Sequence, residues 1–183
     1  MSDTACERQP NDCELVGRTR KGSMDAFDVL VGRYRRSIYR IARGMTQSHD
    51  AADDLSQETF LQAYKQIRHL KNPESFGPWL RKILVNLCIR HSKKVALAWL
   101  EENEIASPES PSADAERSMV RDRVRDAIME LDPAERAVVQ FYYIEGLKQT
   151  EIADALGCPI GTVWSRLNAA RCKLRGRLAD LIS

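Results

Sequence analysis

The segment that most constrains the fold lies in the middle of the chain, where residues 101 to 116 read EENEIASPESPSADAE. The run contains two prolines, several serines and six acidic residues, and no Lys or Arg occurs between Val95 and Glu116. Proline and serine interrupt regular elements, and mutually repelling carboxylates extend a chain. We therefore predict a flexible acidic linker over 97–116. It divides the 183 residues into two small modules.

Both halves carry apolar residues at steps of three and four, which is the spacing of an amphipathic helix. In the first half this pattern predicts helices from about residue 25, from 50 to 67 and from 76 to 94. In the second half it predicts helices from about 117 and from Pro133, followed by two short helices between 146 and 174. Because no alternating strand pattern of useful length occurs, the predicted fold class is all-α. We expect a polar tail at 1–23 and helical modules at 24–96 and 117–183.

Composition excludes several classes of protein. No apolar run approaches the roughly 18 residues of a membrane span, and the N-terminus lacks the apolar core of a signal peptide, so we expect a cytoplasmic protein. Five scattered cysteines are typical of a reducing compartment. A disulfide or metal site at Cys6 and Cys13 is one alternative, although their spacing matches no zinc pattern. Cys172 as a redox handle is another. We expect no metal and no cofactor.

The stretch GLKQTEIADALGCPIGTVWSRLNAARCKL, residues 146–174, predicts a helix-turn-helix. Gly157 suits a left-handed helix end, and Pro159 suits the first turn of the next helix. One stripe of that last helix is apolar and should pack on Ile152, Ala153 and Leu156. The opposite face carries short side chains, namely Ser165, Asn168, Ala169 and Cys172. Between Pro159 and Arg177 there are five bases and no acid, which favours a helix in the major groove of DNA. The alternative is a solvated basic helix on a structural bundle.

The predicted helix DAADDLSQETFLQAY, residues 50–64, has a different character. Its inward stripe is Ala52, Leu55, Thr59 and Ala63. Its other face is acidic with Leu61 in its midst, and carboxylates there would repel phosphate. An exposed leucine among carboxylates indicates a docking surface for a basic protein partner. A solvated charged face is the alternative.

The predicted helix FGPWLRKILVNLCIRHSKK, residues 76–94, interleaves aromatic and basic residues. Such a pattern beside a polar loop suits single-stranded DNA, whose bases stack while its backbone follows a cationic groove. Phe76 and Trp79 are more typical of plain core residues. Asn86, the one uncharged polar residue in an apolar run, is the better candidate for contacting a base.

Four motifs in a fixed order carry a family resemblance: DDLSQETFLQAY, FGPWLRKILVNLCIR, LDPAERAVV and EIADALGCPIGTVWSRL. Together they closely resemble the extracytoplasmic-function (ECF) group of bacterial RNA polymerase sigma factors, over about residues 24–96 and 117–180. In that family the first module is sigma region 2 and the last is sigma region 4. The resemblance implies an alternative sigma factor that helps recognise and melt promoters, and not an enzyme.

The resemblance also implies residue roles. Contact with the polymerase clamp falls on the acidic helix, at Asp53, Asp54, Gln57, Glu58 and Leu61. A pocket for a flipped base of the −10 element falls on Asn86 and the 71–76 loop, with Ser75, Lys82, Arg90 and Lys93 close by. Contacts with the −35 element fall on Thr162, Trp164, Ser165, Arg166, Asn168, Ala169 and Arg171. The family often has Lys or Arg where this chain has Trp164, and a bulkier or basic residue where it has Ala169.

The partners implied are core RNA polymerase, through its beta-prime clamp coiled coil and its beta flap, and promoter DNA. An anti-sigma factor is implied as well, often membrane-bound, which would hold this chain at the inner membrane. No small-molecule substrate is expected. The alternative function is a stand-alone helix-turn-helix transcriptional regulator, and a helical adaptor without a DNA role is a third hypothesis.

Overall fold

The computed structural model of the chain describes residues 10–101 and 115–179, and within those ranges it contains helices and no strand. The α-helices are α1 (Asp12–Arg20), α2 (Met24–Thr46), α3 (His49–Gln66), α4 (Phe76–Glu101), α5 (Ala115–Met129), α6 (Pro133–Val139), α7 (Gln149–Leu156) and α8 (Ile160–Arg177). Two 3-10 turns (Ile67–His69 and Pro73–Ser75) join α3 to α4, and a π-helical turn (Gln140–Ile144) follows α6. The all-α prediction is confirmed. None of the described helices is long and apolar enough to cross a membrane.

The predicted linker falls mainly on residues outside the described ranges. At its two ends, however, α4 continues to Glu101 and α5 begins at Ala115, so the helices reach further than predicted. The reason is visible in the sequence VALAWLE, residues 95–101, which holds good helix formers and no proline or glycine.

The prediction of a polar tail over 1–23 is wrong for residues 12–20, which form α1. Asn11 and Glu14 make a reciprocal capping box at its start, with Glu14 N donating to Asn11 Oδ1 over 2.9 Å. Leu15 and Val16 are fully buried. The sequence did not predict this helix, because two adjacent apolar residues do not make the three- and four-residue repeat that marks an amphipathic helix.

The first module, α1 to α4, buries the apolar stripes that the sequence predicts. Ser23 and Ser48 cap the starts of α2 and α3, and Gln47 ends α2 in the left-handed conformation, with φ 57°. The fully buried side chains of this module include Leu30, Ile38, Ile41, Met45, Phe76, Leu80 and Leu84. Phe76 is therefore a core residue, as the plainer interpretation predicts.

The second module, α5 to α8, contains the predicted helix-turn-helix. Asp132 caps α6 in a capping box with Glu135, and Gly157 ends α7 with φ 62°. Val163, Leu167 and Ala170 of α8 are buried and pack toward the helices before them. Of the three α7 residues predicted to receive this stripe, Ile152 is buried, and Ala153 and Leu156 pack on the same core from its edge, where Ala155 is buried as well. Ala153 and Leu156 are half-buried and line clefts toward α4.

The two modules are packed against each other, which the sequence does not predict. Helix α7 lies along α4, while α6 and the π-helical turn lie against α2. One hydrophobic cluster runs through both modules, with Leu84 and Ile41 in the first and Val138, Phe141 and Ile152 in the second. We call this contact the module interface, and this arrangement of the chain closed.

Arg136 of α6 is the buried cation of the module interface, only 5% exposed. Its guanidinium donates to the carbonyl of Met45 in α2 over 2.8 Å and to that of Leu131 over 3.1 Å. These carbonyls lie at or just beyond the C-terminal ends of α2 and α5, where cations are favoured. Burial lowers the pKa of Arg136 from its ordinary value, with the charge of Asp132 acting in the opposite direction. The bonds to carbonyls make a buried charge tolerable.

An ion pair closes the other side of the module interface. Glu145, at the end of the π-helical turn, accepts from Arg40 Nε and from Ser37 Oγ of α2, each over 2.7 Å. The Glu145 side chain is only 5% exposed, whereas that of Arg40 is 50% exposed. The carboxylate of Glu145 therefore bonds across the interface, to two side chains of α2.

Two glycines allow the close approach. A Cβ on Gly44 of α2 would lie 2.2 Å from Oε1 of the buried Gln140. A Cβ on Gly157 would lie 2.3 Å from Nζ of Lys82 in α4. At Gly44 the neighbour is a buried side chain, so the interface there fits only a glycine. At Gly157 the flexible end of Lys82 can move aside, and it is the φ of 62° that favours glycine.

Candidate functional site

The acidic face of α3 points to solvent, away from the module interface. Asp53, Asp54 and Gln57 are exposed, and Leu61 is 55% exposed. Glu58 is half-buried and accepts from Gln62 Nε2 over 2.9 Å. The side chains predicted to dock a protein therefore form one continuous surface, with an apolar residue held among carboxylates.

This surface continues into an apolar groove of about 880 Å³ between α2 and α3. Asp53, Gln57 and Leu61 form the wall on α3, and Arg35 and Arg36 lie on the α2 side. The apolar lining includes Phe27, Val31, Phe60 and Tyr64. Sequence reasoning missed the groove, because its two walls come from different helices. The exposed Tyr64, one turn beyond Leu61, was the one signal available.

The residues predicted to contact the −10 element lie on α4 and on the loop before it. Asn86, Lys82, Arg90 and Lys93 are exposed, and Ser75 is half-buried. The backbone carbonyl of Asn86 accepts from Arg90 Nε over 3.4 Å. Trp79 is half-buried, and its ring packs on that of Phe76 with centroids 5.9 Å apart.

In the closed arrangement this part of α4 faces the second module. Lys82 and Asn86 line a cleft of about 170 Å³ together with Leu156, Cys158 and Arg166. A cleft of this size is too small for a nucleic-acid strand. A larger cleft of about 620 Å³ opens beside it between the 71–76 loop and the turn from α7 to α8.

The outward face of α8 is open. Trp164 is 62% exposed, Ser165 and Asn168 are exposed, and Thr162 and Ala169 are half-buried. Ser165 Oγ donates to the carbonyl of Thr162 over 3.0 Å. This face presents one exposed aromatic ring, that of Trp164, and two short polar side chains, those of Ser165 and Asn168. Such side chains can contact base edges in a major groove.

Most of the bases on α8 have partners within the second module. Arg171 Nε donates to Tyr143 Oη over 2.9 Å, and its guanidinium lies over the rings of Tyr142 and Tyr143. Lys173 pairs with Glu135 and Arg177 with Glu130, at 2.8 and 2.6 Å. Two of the five basic side chains of α8, Lys173 and Arg177, are therefore locally neutralised by carboxylates of the same module. Exposed pairs of this kind are weak enough to be exchanged for phosphate.

The structure thus brings the predicted residues together as three separate surfaces. The residues of α3 share one face, and those of α4 and its loop share a second, which borders the clefts. Those of α8 share a third face, with Arg166 as the exception because it is half-buried and lines the cleft beside Asn86.

Comparison with known proteins connects these surfaces to a family. Residues 30–97 match the family model of sigma-70 region 2, and residues 121–174 match that of sigma-70 region 4. The ECF RNA polymerase sigma factor SigW of Bacillus subtilis is 30% identical over 91% of this chain and 96% of its own length. The RNA polymerase sigma-H factor of Pseudomonas aeruginosa is 29% identical over 95% and 97%.

Solved structures give the same result. CnrH, solved in complex with the cytosolic domain of CnrY, superposes with a TM-score of 0.68 at 26% identity, over 94% of this chain and 99% of CnrH. The sigma factor RpoE of Bartonella quintana, solved with the anti-sigma factor NepR, has the same fold at a TM-score of 0.69, over 85% of this chain and 98% of its own. The chain belongs to the ECF sigma factors of the sigma-70 family, with its first module as region 2 and its second as region 4.

Proposed function

We propose that this sigma factor docks on core RNA polymerase through the acidic face of α3 and the groove beside it. The observation that supports this proposal is the position of the acidic face, which lies wholly outside the module interface. The surface predicted to contact the −10 element, by contrast, borders that interface. A basic partner helix would find carboxylates for its charges and the Leu61 side chain for its apolar residues. The chain would act in the cytoplasm, where the polymerase is.

We further propose that α4 and the 71–76 loop contact the −10 element, while α8 contacts the −35 element. Asn86 would hold a flipped base, since it is exposed on α4 and its amide can both donate to and accept from a base edge. Trp164, Ser165 and Asn168 would face the −35 bases. Arg171 would meet the backbone after leaving Tyr143, and Lys82, Arg90 and Lys93 would meet backbone phosphates near the −10 bases.

This assignment requires the modules to separate. Asn86 borders a cleft that is too small for DNA, and Lys82 runs along Gly157 at the C-terminal end of α7. The α3 surface is open in the closed arrangement, whereas Asn86 and Lys82, although exposed, face the second module across the smaller cleft. Docking on polymerase would therefore come first, and the promoter would be contacted after region 4 moves away.

Asn86→Ala and Asn168→Ala form a reciprocal pair of tests. In a holoenzyme transcribing a promoter library, Asn86→Ala should lower the preference for one base of the −10 element by about tenfold to a hundredfold. The preference at the −35 element should not change. Asn168→Ala should do the converse, so each variant controls for the other. If Asn86→Ala leaves the −10 preference intact, the −10 site is wrongly assigned.

Run-off transcription with bacterial core polymerase tests the whole proposal. The template is the set of fragments upstream of the gene that encodes this chain, with and without the protein. New transcripts that require the protein would support the proposal and identify a promoter. No transcript together with no co-migration with core polymerase would contradict it.

We also propose that an anti-sigma factor holds the chain inactive. The support is that two relatives of the same fold, CnrH and RpoE of Bartonella quintana, were solved with protein partners, one of which is an anti-sigma factor. Such a partner would keep region 4 packed on region 2 and would cover the α3 face. An affinity capture from uninduced cells that recovers no competitor of core polymerase would count against it.

A further inference from the structure

We infer that helix α1, which precedes the span matched by the region 2 model, positions the −10 loop by holding both of its ends. This inference rests on the proposed function of the loop and of Asn86. Helix α1 packs against the 3-10 turn that precedes the loop (Ile67–His69) and the one within it (Pro73–Ser75), as well as against α2 and α4. Its own side chains bond to the loop entry and, through Tyr34, to the loop exit.

Arg20, the last residue of α1, holds the loop entry. Its Nε donates to the carbonyl of Ile67 over 3.2 Å, and its Nη2 donates to the carbonyl of Leu70. Ile67 and Leu70 are themselves buried, where backbone carbonyls need hydrogen-bond donors, and the carbonyl of Ile67 also accepts from Leu70 N over 3.3 Å. A planar guanidinium with several donors can satisfy two carbonyls at once, whereas a lysine ammonium is a single point charge.

Asp12, the first residue of α1, holds the loop exit indirectly. Its carboxylate accepts from the hydroxyl of Tyr34 in α2 and, over 2.7 Å, from Arg33 Nη1. The Tyr34 ring meets Phe76 edge-on, with centroids 5.4 Å apart. A Cβ on Gly77 would lie 3.0 Å from the Tyr34 hydroxyl. The bond to Asp12 thus fixes the ring against which α4 begins.

Between these anchors the loop holds itself with few bonds. Glu74 N donates to Asn72 Oδ1 over 3.1 Å, and Ser75 N donates to the carbonyl of Asn72 over 3.0 Å. Lys71, Asn72 and Glu74 are exposed. A short exposed segment of this kind takes its position from its ends, so Arg20 and Asp12 are positioning residues that need not touch DNA.

Arg20→Ala is the test, in a promoter library built on a fragment that the wild-type holoenzyme transcribes. The −10 bases of this fragment are randomised in one library and its −35 bases in another. We expect Arg20→Ala to flatten the base preference at the −10 element by about tenfold, with the −35 preference and polymerase affinity unchanged. Amide hydrogen exchange of residues 70–77 should become faster in the free protein. Arg20→Lys should restore the preference only in part, and Arg18→Ala, an exposed arginine on the same helix, should have no effect.

Tyr34→Phe keeps the inference testable if Arg20→Ala fails to fold, because it removes only the hydroxyl that Asp12 accepts. We expect it to flatten the −10 preference as well. The inference is overturned if Asn86→Ala loses the −10 preference while folded Arg20→Ala and Tyr34→Phe keep it. If Asn86→Ala also keeps it, the proposed −10 site itself has failed.

Discussion

Asp54→Lys is expected to abolish transcription by weakening the binding of core polymerase by about two orders of magnitude or more. Removing one partner of a charge pair buried in an interface costs about 2–5 kcal/mol, and each 1.4 kcal/mol is about tenfold in affinity. Placing a cation opposite a basic partner adds repulsion. The measurement is binding to core polymerase by co-migration or fluorescence anisotropy, followed by run-off transcription.

The substitution should not unfold the chain. Asp54 is exposed and lies beyond the first turn of α3, where surface changes alter the free energy of unfolding by about 0.5 kcal/mol or less. Asp126→Lys is the matched control, since it makes the same change of charge at an exposed position of α5. Equal loss of binding in both variants would point to net charge rather than to the α3 face. Full binding by Asp54→Lys would contradict the docking surface.

Glu145→Arg is expected to open the closed arrangement. The side chain of Glu145 bonds to Ser37 and Arg40 across the module interface. An arginine there would lose both bonds and repel Arg40. Cys158 reports the change, because its half-buried thiol lies in the clefts between the modules. We expect its reaction with a thiol reagent to become about tenfold faster or more, and the radius of gyration from small-angle scattering to increase.

The paired change Arg40→Glu with Glu145→Arg should restore slow labelling, since it rebuilds the ion pair with its charges exchanged. Glu130→Arg is the control, because it breaks an exposed pair with Arg177 inside the second module. The other thiols calibrate the assay. Cys172 is exposed, whereas Cys88 is buried and burial raises the pKa of its thiol to about 12, so it should stay unreactive near neutral pH. Unchanged labelling of Cys158 in Glu145→Arg would show that this ion pair does not hold the modules together.

Sequence periodicity sufficed for the helices with long apolar stripes. The stripe of α2 and that of α8 are buried as predicted, and Asp132 and Gly157 mark helix ends as their residue types require. It did not suffice for α1, because nine residues with two buried apolar side chains show no period. What buries α1 is a surface made by α2 and α4, and no local pattern carries that information.

The candidate site divides in the same way. The sequence by itself determined which residue types each surface presents, since burial of one helical stripe leaves the other face outward: carboxylates with Leu61 on α3, Trp164 and Asn168 on α8. Only the tertiary structure decided that α7 lies along α4, that Arg20 bonds to the carbonyls of Ile67 and Leu70, and that Glu145 meets Arg40. Those contacts join residues 47 to 105 positions apart. They follow from how whole helices pack and not from the local periodicity that a sequence displays.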